Sequence, residues 1–160
     1  MNIDLGGKRV VVTGASRGIG LAIATAFARE GARLAICARS ADRLETVAES
    51  MRGLGARSVI AVPLDVSCTA SVRAFVAQVA DEWGGVDVLV NNAGQGKGGS
   101  LDSLEPEDIL DHANNLQVAH FRFVQAVVPH MRAQRWGRII NINGLAGAIP
   151  GGAAVDAHID

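Results

Sequence analysis

Short apolar runs rich in β-branched residues alternate along the chain with longer stretches in which apolar side chains recur every three or four positions. This is the pattern of βαβ units wound around a parallel sheet. The runs Arg9 to Thr13, Arg33 to Ala38, Ser58 to Val62, Val86 to Asn91 and Arg138 to Ile142 predict five strands. Between the first two, Ile19, Ala22, Ile23, Ala26 and Phe27 keep helical spacing, and Gly31 stands where a helix C-cap belongs. A second helix is predicted after Ser40 as N-cap, with Leu44, Val47, Ala48 and Met51 inward, and a third with Val72, Phe75, Val76, Val79 and Trp83 on one stripe. A long helix is predicted from about Pro106 to Arg135. Its apolar residues Leu116, Val118, Phe121, Val124, Val127, Val128 and Met131 spread over much of the circumference, so it needs cover on more than one side. Pro129 is expected to bend or end it, because an interior proline costs about 3 kcal/mol. Right-handed crossovers then give a doubly wound α/β sheet in the order 3-2-1-4-5 with helices on both faces. Residues 1–160 read as a single domain that closes, from Pro150-Gly151-Gly152, in a tail at 152–160 with no further strand or helix.

Composition narrows the function classes. At 160 residues, 49% hydrophobic and 19% charged, the chain has ample core-forming material, and its 19 glycines follow no collagen-like period. Fifteen basic against sixteen acidic side chains leave a net charge of -1, so no broad positive field attracts nucleic acid or anionic lipid, and neither is expected as a partner. The two cysteines, Cys37 and Cys68, lie far apart and form no metal-type cluster. That excludes a disulfide framework and structural zinc, and fits a reducing, cytoplasmic setting. No apolar stretch approaches the roughly 18 residues of a membrane span, and Met1 to Arg9 lacks a basic segment leading into an apolar signal core.

The densest chemical signal follows the first strand, where Thr13-Gly14-Ala15-Ser16-Arg17-Gly18-Ile19-Gly20 turns into a helix. Gly14 permits a tight turn, Gly18 lets backbone approach a diphosphate, and Gly20 lets helix pack on strand. The helix N-terminus offers unbonded N–H groups and a positive dipole end to phosphates. Dinucleotide binding suits this loop, and an ordinary glycine-rich βα turn is the plainer reading.

Four further motifs decide between them. Leu64-Asp65-Val66 follows the third strand, Asn91-Asn92-Ala93-Gly94 the fourth, Asn115-Leu116 lies in the long helix, and Gly137-Arg138-Ile139-Ile140-Asn141-Ile142 runs through the fifth strand. Together with the glycine loop they resemble the short-chain dehydrogenase/reductase family, similar to its 3-oxoacyl-thioester reductases, over residues 5 to 150. The resemblance implies a Rossmann-like fold, here lacking the family's C-terminal part, and an NAD or NADP cofactor. It implies that Gly14, Ser16, Gly18, Ile19 and Gly20 hold the phosphates, that Asp65 and Val66 flank the adenine, and that Asn91, Ala93 and Gly94 line the cofactor cleft. A helix-entry cap is the plainer role for Asp65, and a polar strand-end turn for Asn91 and Asn92.

Charge favours NADP over NAD. An NAD site usually places an acidic residue about 20 residues beyond the glycine loop to accept from the ribose hydroxyls. Here Ala38, Arg39 and Ser40 end the second strand, and the nearest carboxylate, Asp42, belongs to the next helix. Arg39 and Arg17 are both placed to meet a 2′-phosphate with charge-assisted hydrogen bonds.

Carbonyl reduction by a nicotinamide needs a proton donor beside the developing alkoxide. The resemblance implies an Asn in the long helix, a Ser after the fifth strand and a Tyr-x-x-x-Lys pair. Asn115 matches the first. Asn143 and Gly144 stand where the serine is expected, and no serine occurs after Ser103. The chain holds no tyrosine at all. His158 and Asp156 lie near the expected tyrosine position at Ala157, while His112, His120 and His130 read as helix-surface or core residues. Two readings follow: an NADP-dependent oxidoreductase acting on a small carbonyl or alcohol, or a catalytically inactive dinucleotide-binding subunit or sensor. A truncated gene product is a third. The apolar face of the long helix predicts a homo- or hetero-oligomer.

Overall fold

The computed structural model describes residues 5–94 and 102–143. The expected tail, and with it Gly144, Asp156, Ala157 and His158, lies outside the described residues. The elements in chain order are β1 (Arg9–Thr13), α1 (Gly18–Arg29), β2 (Arg33–Ala38), α2 (Ala41–Gly53), β3 (Ser58–Pro63), α3 (Thr69–Trp83), β4 (Val88–Asn91), α4 (Pro106–Asn115), α5 (Gln117–Ala133) and β5 (Arg138–Asn141). The five strands form one parallel sheet in the order β3-β2-β1-β4-β5, as the pattern of short and long apolar runs predicts.

β1 explains why such runs are continuously apolar. Val10 and Val12 point to one face and Val11 to the other, and all three are fully buried. On the first face they join Leu34, Ile36, Val88 and Val90 beneath α1 and α2, through Ala24, Ala28, Leu44 and Met51. On the second, Val11 joins Ala35, Ile60 and Leu89 beneath α3 and α5, through Val72, Val76, Phe123 and Val127. Phe75 and Phe123 meet edge to face at 6.4 Å between centroids and close this second core. β4 begins at Val88 rather than Val86. The Asp87 N–H donates to the Arg9 carbonyl, and the Asp87 carboxylate accepts from the Arg9 backbone and guanidinium, at 2.6 Å for Nη2. Gln134 joins this network by accepting from Arg9 and donating to the Val86 carbonyl. It ties the N-terminal edges of β1 and β4 to the turn before β5.

The long helix is corrected. It breaks at Leu116, whose φ of -115° and ψ of -80° end α4 and open α5, while Pro129 sits inside α5, which continues to Ala133. Apolar cover on several sides is not met within the described residues. Ala119, His120, Phe123, Val127 and Met131 face the sheet, but Phe121 is 58% exposed, and Ile109, Leu110 and Val118 also face outward.

Candidate cofactor site

All the strand-end motifs gather along the carboxyl edge of the sheet, and the glycine loop lies where β1 has β2 on one side and β4 on the other, the point at which strand order reverses. The loop is anchored at its start. Gly14 and Ala15 both donate to the Cys37 carbonyl, at 2.8 and 3.3 Å. The Cys37 thiol is buried, and burial pushes its pKa up to about 12, so it stays protonated and inert.

Each glycine of the loop has its own steric reason. Gly14 has φ +67°, and a Cβ there would come within 3.0 Å of the Ala93 backbone. A Cβ on Gly20 would run into the Gly14 carbonyl and the Asn92 side chain, so only glycine lets α1 approach the strand ends this closely. Gly18 has φ +56° and open space around its Cα. That opening coincides with the N-terminus of α1, where Arg17 occupies the cap position and makes no capping bond with its side chain. The first-turn N–H groups are thus left to face an incoming anion, and the residues fit a diphosphate. Ile19, in that same turn, is 62% exposed, an apolar surface next to the opening.

Opposite the loop, one hydroxyl organises the β4 end. Thr13 Oγ1 accepts from the backbone N–H groups of Asn92 and Ala93, at 2.9 and 2.8 Å. The Asn92 amide donates back to the Thr13 and Gly14 carbonyls, at 3.0 and 3.3 Å. The Ala93 carbonyl accepts from His120 Nε2 at 3.3 Å, and burial holds the His120 pKa below the usual imidazole range, so the ring stays neutral. Asn91 is fully buried, and its amide donates to Asn141 Oδ1 across the β4–β5 ladder at 2.9 Å. Ala93 and Gly94 lie beyond it, at the open end of the strand.

At the β3 end, Asp65 Oδ1 accepts from the Ser67 N–H and hydroxyl, at 2.8 and 2.7 Å. These two bonds hold its carboxyl below the usual range, with Arg39 and Arg122 adding attraction. The turn-forming role and nearness to Arg39 therefore coincide in Asp65. Val66 follows, and its carbonyl accepts from Arg122. Ser16 is half-buried in the glycine loop, while Arg17 and Arg39 are exposed on the same edge, and Asp42 stands in the first turn of α2, as expected.

Asn115 closes α4, and its side chain bonds within its own helix. Its amide donates to the Asp111 carbonyl at 2.9 Å, a local helical bond of the kind asparagine commonly makes. The side chain at the break that packs toward the cleft is Leu116, which a Cβ on Gly94 would strike. Three contributors escaped sequence reasoning: the Thr13 hydroxyl, the Asn92 amide as a clasp, and Arg122. A buried strand ending in threonine signals the first, whereas the others depend on contacts between distant segments. Among the described residues no cluster of His, Cys, Asp and Glu could hold a metal, and no helix is long and apolar enough to cross a membrane.

Comparison with known proteins extends this picture. Residues 8–155 match the short chain dehydrogenase family. The chain is 38% identical over 143 residues to the 3-oxoacyl-(acyl-carrier-protein) reductase FabG of Staphylococcus epidermidis, covering 89% of this chain and 58% of that protein. It superposes on the L-sorbose reductase of Gluconobacter frateurii, solved with NADPH and L-sorbose, with a TM-score of 0.81 and 41% identity over 87% of this chain and 54% of the other. It superposes equally on an NAD+-bound xylitol dehydrogenase, with a TM-score of 0.87 and 30% identity over 92% and 57%. The chain spans about half the length of the curated relatives it matches. Because the matched span takes in the glycine loop and every strand end described above, the chain belongs to the short-chain dehydrogenase family.

Proposed function

We propose that this chain binds NADP(H) across the carboxyl ends of β1, β2 and β4, as one cofactor-binding domain, and serves an oxidoreductase acting on a small carbonyl or alcohol. The observation that carries the reading is the uncapped N-terminus of α1 opening onto the unobstructed Gly18, beside a Gly20 that admits no side chain. The nicotinamide supplies or accepts the hydride when bound. The chain's residues hold and orient it: first-turn N–H groups meet the diphosphate, the Thr13–Asn92–Ala93 clasp fixes the cleft wall, and Asp65 and Val66 border the adenine. Arg39 and Arg17, with no carboxylate at the end of β2, favour the 2′-phosphate of NADP, in line with the NADPH held by the sorbose reductase. The xylitol dehydrogenase holds NAD+, so the preference rests on these arginines.

A second reading is favoured by one observation: the sequence holds no tyrosine, the proton donor that the family resemblance implies. On that reading the chain is a catalytically inactive dinucleotide-binding subunit or sensor. One experiment separates the two. Purified protein is titrated with NADPH by nicotinamide fluorescence and then supplied with a panel of small ketones while absorbance of the reduced nicotinamide is followed. Binding with steady oxidation supports the oxidoreductase, binding without turnover supports the sensor, and no binding overturns both.

The outward apolar residues Ile109, Leu110, Val118 and Phe121 support a partner chain, of the same or another kind, against α4 and α5. A monomer by light scattering would count against it. The unpaired thiols of Cys37 and Cys68 support a reducing compartment such as the cytoplasm.

A further inference from the structure

Arg122, in the second turn of α5, collects three segments on one guanidinium. Its Nε donates to the Thr69 hydroxyl at 2.9 Å, at the first residue of α3. Its Nη1 donates to the Val66 carbonyl at 3.4 Å, in the turn before α3, and to the Asn114 carbonyl at 3.1 Å. Its Nη2 donates to Asn114 Oδ1 at 2.6 Å. The carbonyls of a last helical turn lack partners within their own helix, and here a side chain from the following helix supplies donors to one of them. α4 therefore ends where Arg122 meets it, and the break at Leu116 is held at a fixed angle. Leu116 in turn packs against the backbone of Gly94 at the end of β4. The planar guanidinium has its donors in a rigid fork, so the segments it bonds move together, which a lysine ammonium on a flexible stem does not enforce.

We infer that Arg122 is a positioning residue that couples the turn at Val66 to the helix break at Leu116, so that occupancy at the adenine end of the cleft sets the wall beside Gly94. The inference rests on the cofactor reading above. Binding against Val66 orders that turn, the fork transmits the order to Asn114, and Leu116 is held against Gly94. The device lies outside the glycine loop and needs no contact between Arg122 and the cofactor.

The test uses adenosine 2′,5′-bisphosphate, the adenine half of NADP, with hydrogen exchange read by mass spectrometry on the whole chain. In the wild type, binding should slow exchange at the glycine loop, residues 14–20, and also at 116–120. In Arg122→Gln, affinity should fall about tenfold, the size of an ordinary coupling between two sites. Slowing at the loop should persist while that at 116–120 disappears. Arg122→Lys, which keeps the charge without the fork, should fail to restore it, and Thr69→Val should give a partial loss if Arg122→Gln does not fold. A merely structural arginine would raise exchange along α5 with and without ligand and leave the ligand-induced change intact, which would overturn the inference. Slowing at 14–20 but not at 116–120 in the wild type would overturn it alone. No change at either segment would overturn the cofactor reading, and the coupling with it.

Discussion

The Thr13 hydroxyl oxygen lies 2.8 Å from the Ala93 backbone nitrogen, and the same oxygen takes the N–H of Asn92. One side chain at the end of β1 therefore fixes the path of the chain leaving β4. The two strands flank the point where their order in the sheet reverses, so this contact ties together the two strand ends at that point.

Replacing Thr13 by valine keeps the shape and removes the acceptor. Two partly buried N–H groups then lose their partner, at about 1–3 kcal/mol each. Thr13→Val should therefore lower stability by about 2–6 kcal/mol in urea denaturation, whereas Thr13→Ser, which keeps the oxygen, should stay within about 1 kcal/mol of the wild type. An unchanged midpoint for Thr13→Val would show that the contact contributes nothing.

The glycines should separate in a paired experiment. In Gly20→Ala the new methyl meets the Gly14 carbonyl, which is backbone and has little room to yield, so stability should fall by about 1–3 kcal/mol and NADPH affinity at least about tenfold. Gly18→Ala meets no neighbour and carries only the strain of φ +56°, about 1–2 kcal/mol. Urea curves and fluorescence titrations on both variants check the contrast. Equal effects would mean that packing at Gly20 is not what shapes the loop.

Charge at the end of β2 should decide the cofactor. NADPH is expected to bind at least about tenfold tighter than NADH, the difference one charge-assisted bond provides, and Arg39→Asp to reverse the order. Equal affinities in the wild type by calorimetry would remove the argument from Arg39 and Arg17.

Two buried titrations fall in separate pH windows. Burial lowers the His120 pKa from its ordinary 6.5, so the unfolded chain takes up the proton first and stability declines as pH falls below about 6.5 toward the folded value. His120→Gln should flatten that part of the profile. Burial opposes ionisation of Asp87, but its bonds to Arg9 outweigh this and hold the carboxyl below 3.8. The Arg9–Asp87 contribution is therefore present at neutral pH and is lost in the acid range, as pH drops through the folded value. Asp87→Asn should cost about 2–4 kcal/mol at pH 7 and much less in strong acid, measured by denaturation at several pH values. A pH-independent loss would place the effect in packing instead.

The central strands β1, β2 and β4 were legible because they are buried on both faces, so Val10, Val11 and Val12 read as one apolar run, whereas the apolar run of β5 is exposed among the described residues. The helix stripes of α2 and α3 were legible for the complementary reason, since only one side of each meets the sheet. The break at Leu116 was not. Leucine favours helices, and the contacts at the break come from the Arg122 guanidinium, which bonds Asn114 eight residues earlier in the chain and leaves no mark on the local pattern. Proline at 129 gave the opposite signal, yet packing of Phe123, Val127 and Met131 on the sheet carries α5 past it. At the site, the glycines announced themselves by spacing, while the bonding of Asn115 could not be read from its motif. Its neighbourhood in sequence suggested a role, and its amide is bonded to its own helix.

β1 is paired on both sides, and its three central valines are shut off from water. Amides in such a strand open only with the whole molecule, whereas peripheral segments open alone. The glycine loop, where we propose the coenzyme's phosphates sit, is thus fastened to the last part of the protein to come apart. Limited proteolysis that clips α4 should leave a remnant that still retains nucleotide.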